Sequence, residues 1–83
     1  MVKIDVVVKF DKGLHARPAG TLVELSKASK SDVFIITKTG VRVNCKSLIR
    51  ILTTGIKENE EISIEITGED EERLAESLKK LFN

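Results

Sequence analysis

The chain has 83 residues, 41% of them apolar and 33% charged, with a formal net charge of +1. That suffices for a single domain, spanning residues 1–83, with one modest core, and it excludes a disordered segment. No basic run or aromatic platform argues for nucleic acid, and no apolar stretch reaches the length of a membrane span.

The N-terminus lacks the apolar core of a signal peptide, and the single Cys45 cannot form an internal disulfide. Both features fit the reducing cytoplasm. One His and one Cys, far apart in the chain, cannot make a zinc site of the usual spacing, so no metal or cofactor is expected. Without Trp or Tyr, the core must be built from Val, Ile, Leu and three Phe.

Val2, Ile4, Val6, Val8 and Phe10 alternate with Lys3, Asp5, Val7 and Lys9, the pattern of a strand with one buried face. Asp11-Lys12-Gly13 breaks that pattern. From Ala16 to about Ala28 the period changes to that of a helix, with Ala19, Leu22, Val23 and Ser26 on one face. Pro18 falls in the first turn, where its missing N–H costs nothing, so His15 stands at or beside the N-cap.

Val33–Thr37 and Val41–Cys45 read as two strands joined by Lys38-Thr39-Gly40. The register of the first stays open, because Val33 and Ile35 compete with Phe34 and Ile36 for the inner face. In the second, Val43 and Cys45 share a face, and Cys45 reads as a small buried hydrophobe.

Ser47 opens a short helix and is a favoured N-cap residue. Leu48, Ile51 and Leu52 are expected on its inner face, with Ile49 opposite beside Arg50. Ile62, Ile64 and Ile66 then alternate with Ser63, Glu65 and Thr67 in a fourth strand. In a last helix, Leu74, Ala75, Leu78, Leu81 and Phe82 form one apolar stripe, with acids at its start and lysines near its end. The order β-α-β-β-α-β-α predicts an α+β fold, a mostly antiparallel four-stranded sheet buried on one face under helices.

The chemistry concentrates in Gly13-Leu14-His15-Ala16-Arg17-Pro18-Ala19, which holds the only histidine and the only proline. A helix start offers free N–H groups and the positive end of the dipole, so it favours an anion. Neutral imidazole keeps one ring nitrogen with a free lone pair, which can take up a phosphoryl group covalently. Arg17 can match the phosphate charge with its planar fork, and the backbone amides of Ala16 and Arg17 with neutral dipoles. Alone, a loop histidine beside an arginine is more often idle than catalytic.

The whole motif resembles the active-site signature of the HPr family, the histidine phosphocarriers of the bacterial phosphoenolpyruvate:sugar phosphotransferase system. The resemblance continues at Val43-Asn44-Cys45-Lys46-Ser47-Leu48-Ile49, at Thr54-Gly55-Ile56 and at Gly68-Glu69-Asp70-Glu71, and so covers nearly the whole chain. It implies an open-faced β-sandwich with three helices on one face of the sheet. It further implies a carrier that is not a stand-alone enzyme, works as a monomer without a cofactor, and is phosphorylated at Nδ1 of His15, with Arg17 holding the phosphoryl group.

By the same resemblance, Ser47 matches a serine modified by an ATP-dependent HPr kinase/phosphorylase in many Gram-positive members, which links the family to a catabolite-control transcription factor. Ile49 matches an apolar docking position for Enzyme I and the sugar-specific IIA domains. Three departures stand out. Arg50 replaces a common glycine and adds bulk and charge to the docking patch; Gly20 replaces a better helix former; the turn at Lys38-Thr39-Gly40 is one residue longer. An HPr-like regulatory module, in carbon catabolite or nitrogen-branch signalling and without sugar transport, is the alternative reading.

Overall fold

The computed structural model describes residues 1–83. The elements are β1 (Val2–Val7), α1 (Ala16–Ala28), β2 (Ser31–Ile36), β3 (Arg42–Asn44), α2 (Leu48–Thr53), β4 (Glu61–Gly68) and α3 (Glu71–Phe82). They form one four-stranded sheet in the order β1-β4-β2-β3, with every neighbouring pair antiparallel. The last strand therefore inserts between the first two. The long helices α1 and α3 and the short α2 lie over one face, as the order of elements predicts, and the other face is open.

Alternation decides which side chains enter the core. Ile4 and Val8, Val33 and Ile35, and Ile62, Ile64 and Ile66 all point under the helices and are buried. They meet Ala19, Leu22 and Val23 from α1 and Leu74, Ala75, Leu78 and Phe82 from α3, in one continuous cluster. Each fully buried aliphatic side chain contributes about 1.5–3 kcal/mol, which is how so few residues support a domain.

The pairing settles the register of β2. Val33 and Ile35 stand opposite Ile66 and Ile64 of β4, and Ile35 also faces Val43. Phe34 and Ile36 are left half-buried on the open face. There the Arg42 guanidinium lies 3.9 Å from the Phe34 ring centroid and 3.9 Å from a Glu65 carboxylate oxygen, which shields the ring from water. Strand β3 is shorter than the expected 41–45 run, and Val41 is exposed.

One expectation fails. Of the three residues assigned to the inner face of α2, only Ile51 is buried. Leu48 and Leu52 are 38% and 41% exposed, and they flank Ile49, which is 74% exposed. A helix of six residues has too little length to bury a full stripe, so one side chain anchors it.

Candidate functional site: the His15 loop at the start of α1

After β1 the chain reverses through two consecutive left-handed residues, Lys12 at φ +71° and Gly13 at φ +73°. Glycine adopts this freely, whereas Lys12 takes on roughly 1 kcal/mol or more of strain. The Gly13 amide closes the turn by donating to the Phe10 carbonyl at 2.8 Å. Leu14 is buried, and its amide donates to the Ile56 carbonyl at 3.0 Å.

His15 is the N-cap of α1, with an extended backbone at φ −83° and ψ −171°, and its side chain makes no capping bond. Its carbonyl accepts the Ala19 amide at 3.0 Å, so the cap works through backbone alone and leaves the exposed ring unused. The amides of Ala16 and Arg17 meet no acceptor in the protein, and Pro18 has none to offer. No acid stands in the first turn of α1 to offset the positive end of its dipole; the carboxylate that shares this depression is Asp11, before the helix.

Arg17 is exposed and forms no ion pair; only its carbonyl is engaged, by the Thr21 hydroxyl at 3.3 Å. His15, Ala16, Arg17 and Pro18 line an open depression of about 660 Å³, together with Phe10, Asp11, Thr21 and Leu81. Phe10 packs on Phe82 with ring centroids 5.5 Å apart, so α3 supplies one wall. The sequence alone does not place Phe10, Asp11, Thr21 or Leu81 at this site. Asp11 and Thr21 are near neighbours of the motif, but Leu81 comes from the far end of the chain and carries no local signal.

The second cluster lies on α2, which packs against α1. Ser47 caps this helix by accepting the Arg50 amide on Oγ at 3.3 Å. Ile49 and Arg50 are exposed beside it, and with Leu48 and Leu52 they make an apolar surface edged by one guanidinium. None of these residues lines the depression at His15. The two clusters meet through the backbone bond from Leu14 to Ile56, just beyond the end of α2.

Cys45 takes no part. It is fully buried, and burial pushes its thiol up to about 12, an effect only partly offset by a backbone hydrogen bond at Ile35. It is a neutral hydrophobe at physiological pH. No group of three His, Cys, Asp or Glu side chains converges as a metal site would require, and no helix is long and apolar enough to cross a membrane.

Fold and loop define the class: a small α+β protein whose candidate site is an exposed histidine at a helix N-cap, in an open depression on the surface. Residues 2–83 match the family described as "PTS HPr component phosphorylation site". The chain belongs to the HPr family of phosphocarriers.

Among its relatives is the phosphocarrier protein HPr of Mycoplasma pneumoniae, 40% identical over 82 residues, which are 99% of this chain and 93% of that one. The crystal structure of a phosphocarrier protein HPr from Bacillus anthracis superposes with a TM-score of 0.90 at 33% identity, covering 99% of this chain and 96% of the other. The Bacillus subtilis catabolite repression protein Crh, crystallised as a domain-swapped dimer, matches with a TM-score of 0.75 at 34% identity, covering 99% and 93%.

Proposed function

We propose that His15 carries a phosphoryl group from phosphorylated Enzyme I to the IIA domains of sugar permeases. One arrangement carries the reading: an exposed imidazole, free of capping duty, beside two unpaired amides and an unpaired arginine at a helix start whose first turn holds no acid. In the forward step the lone pair on ring nitrogen Nδ1 attacks phosphorus. The bond from phosphorus to the donor breaks, and its electron pair leaves with the donor. In the onward step a nucleophile of the IIA acceptor attacks phosphorus, the Nδ1–P bond breaks, and its electron pair returns to the imidazole. The amides of Ala16 and Arg17 and the Arg17 fork neutralise the phosphoryl oxygens in the carried state. Partners bring the remaining groups, so the chain is a carrier and not an enzyme in its own right.

Docking falls to the exposed surface of Leu48, Ile49 and Leu52, with Arg50 on its edge. Ser47 is the regulatory position: phosphate there would sit at the start of α2, where the dipole tolerates it, and would place negative charge on the docking surface. The protein acts in the cytoplasm as a monomer, which light scattering at working concentration tests.

Incubation with Enzyme I and phosphoenolpyruvate should give an acid-labile adduct that His15→Ala abolishes. A wild-type chain that takes up no phosphate rejects the reading. Treatment with an HPr kinase and ATP should add one phosphate, lost in Ser47→Ala; modification elsewhere rejects the role of Ser47. The likeness to Crh and the arginine at position 50 support one second reading, a regulatory module without sugar traffic. Uptake from Enzyme I with no onward transfer to any IIA domain would favour it.

A further inference from the structure

Gly13 is packed where no other residue type fits. A Cβ built on it would collide with the Ile56 carbonyl oxygen and approach the Lys57 Cα to 2.8 Å. Both are backbone atoms that no rotamer change can move, and the φ of +73° independently disfavours a side chain. Gly20, Gly40 and Gly55, in contrast, have nothing within 4 Å of that position.

The close approach serves a hydrogen bond. One residue beyond Gly13, the Leu14 amide donates to that same Ile56 carbonyl at 3.0 Å, and the His15 amide turns back to the Gly13 carbonyl at 2.9 Å. Ile56 is itself held. Its side chain is buried, and its amide donates to the Thr54 hydroxyl at 3.4 Å. That hydroxyl in turn donates to the Ile51 carbonyl at 2.6 Å, at the end of α2. A continuous run of backbone and hydroxyl bonds thus leads from the anchor of α2 to the N-cap of α1.

We infer that Gly13 and the Ile56 carbonyl are positioning elements of the phosphoryl site. They hold His15 in register with the free amides of Ala16 and Arg17 and fix it relative to α2. The inference rests on His15 being the phosphoryl acceptor. Its consequence is that the docking surface and the histidine loop form one rigid unit, so a partner seated on Ile49 meets the imidazole at a set offset. Gly13 is not catalytic, since it touches no reacting atom.

The test uses the full chain and potassium phosphoramidate, which loads histidine without any protein donor. The ring nitrogen attacks phosphorus, the phosphoramidate P–N bond breaks, and ammonia leaves. Three chains are compared with wild type: Gly13→Ala; a synthetic chain in which Leu14 is replaced by its α-hydroxy acid, so that an ester deletes the N–H donor and keeps the side chain; and Gly20→Ala as a control for added bulk. The readouts are the phosphohistidine lifetime by 31P NMR and the movement of the Ala16 and Arg17 amide resonances on loading.

Both loop variants should keep the wild-type circular dichroism spectrum, shorten the lifetime about tenfold, roughly 1.4 kcal/mol, and lose most of the amide response. Gly20→Ala should match wild type. If Gly13→Ala does not fold, the ester chain decides alone. A folded loop variant with wild-type lifetime and amide response overturns the inference. Enzyme I is then offered to the wild-type chain. If it fails to phosphorylate a chain that phosphoramidate loads, the carrier reading falls and the positioning role stands. A chain that phosphoramidate cannot load overturns both.

Discussion

Truncating Ile49 and Ile51 separately should divide docking from stability on a single helix. Ile49 is 74% exposed and Ile51 is completely buried, although they stand two positions apart. Full burial of an isoleucine contributes about 1.5–3 kcal/mol, so covering the exposed three quarters of Ile49 under a partner is worth about 1.1–2.2 kcal/mol. Ile49→Ala should therefore raise the KM of Enzyme I for this chain roughly six- to fortyfold. The stability change should stay within about 0.5 kcal/mol, and the melting temperature within about 4 °C. Ile51→Ala should cost about 2–5 kcal/mol through the cavity it leaves, lowering the melting temperature by roughly 10 °C or more. Steady-state phosphotransfer with the chain as varied substrate, beside thermal melts of each variant, measures both quantities. An Ile49→Ala chain with KM within about twofold of wild type would show that α2 is not the docking surface. One that melts far below wild type would show that Ile49 is structural.

Gly20 sits within α1 with open space where a Cβ would go, so Gly20→Ala should stabilise by about 1 kcal/mol and raise the melting temperature by roughly 4–8 °C. Asp70 should set part of the acid limit. The Ser31 hydroxyl at 2.5 Å, then the Lys30 amide at 3.0 Å, hold its carboxyl below the ordinary 3.8, with Arg73 adding a smaller pull. A lowered folded value means stability that is complete above the ordinary one and lost as pH falls below it, so in acid titrations Asp70→Asn should flatten that limb. Cys45 works with the opposite sign. Its thiol is neutral in the fold up to about 12 but ionises near 9 once exposed, so stability should fall between those values, by at most about 1.4 kcal/mol per pH unit. Denaturant titrations at stepped pH should show that slope in wild type and lose it in Cys45→Ala.

What the chain reveals before folding depends on how local the information is. Strand β4 and helix α3 are legible because Ile62, Ile64 and Ile66, and then Leu74, Leu78 and Phe82, repeat at one period over enough residues. The His15 motif is legible for the same reason, since histidine, arginine and helix start are contiguous. The register of strand β2 is not, because apolar residues occupy both of its faces and only its partners decide: Ile64 and Ile66 select Ile35 and Val33. Helix α2 misleads because one anchor, Ile51, satisfies its packing, so the leucines at helical spacing from it are free to face solvent. Leu81 at the rim of the depression and the Ile56 carbonyl under Leu14 belong to pairings between distant segments, and no local pattern encodes them.

On the proposed function, the two clusters divide the work of a carrier. Phosphoryl transfer in both directions requires that the phosphorylated state be neither too stable nor too short-lived, and neutral amides with one arginine meet that need better than a deep charged pocket. An enclosed site would also have to open for each partner, whereas a helix N-terminus presents its donors at the surface without rearrangement. Selectivity must then come from the surface beside the histidine, where α2 offers Leu48, Ile49 and Leu52 edged by Arg50. A guanidinium there adds affinity for a partner that presents a carboxylate and costs affinity for one that presents a cation or an apolar rim. On that reading, position 50 is where this chain would change partners while His15, Arg17 and their amides continue the same chemistry.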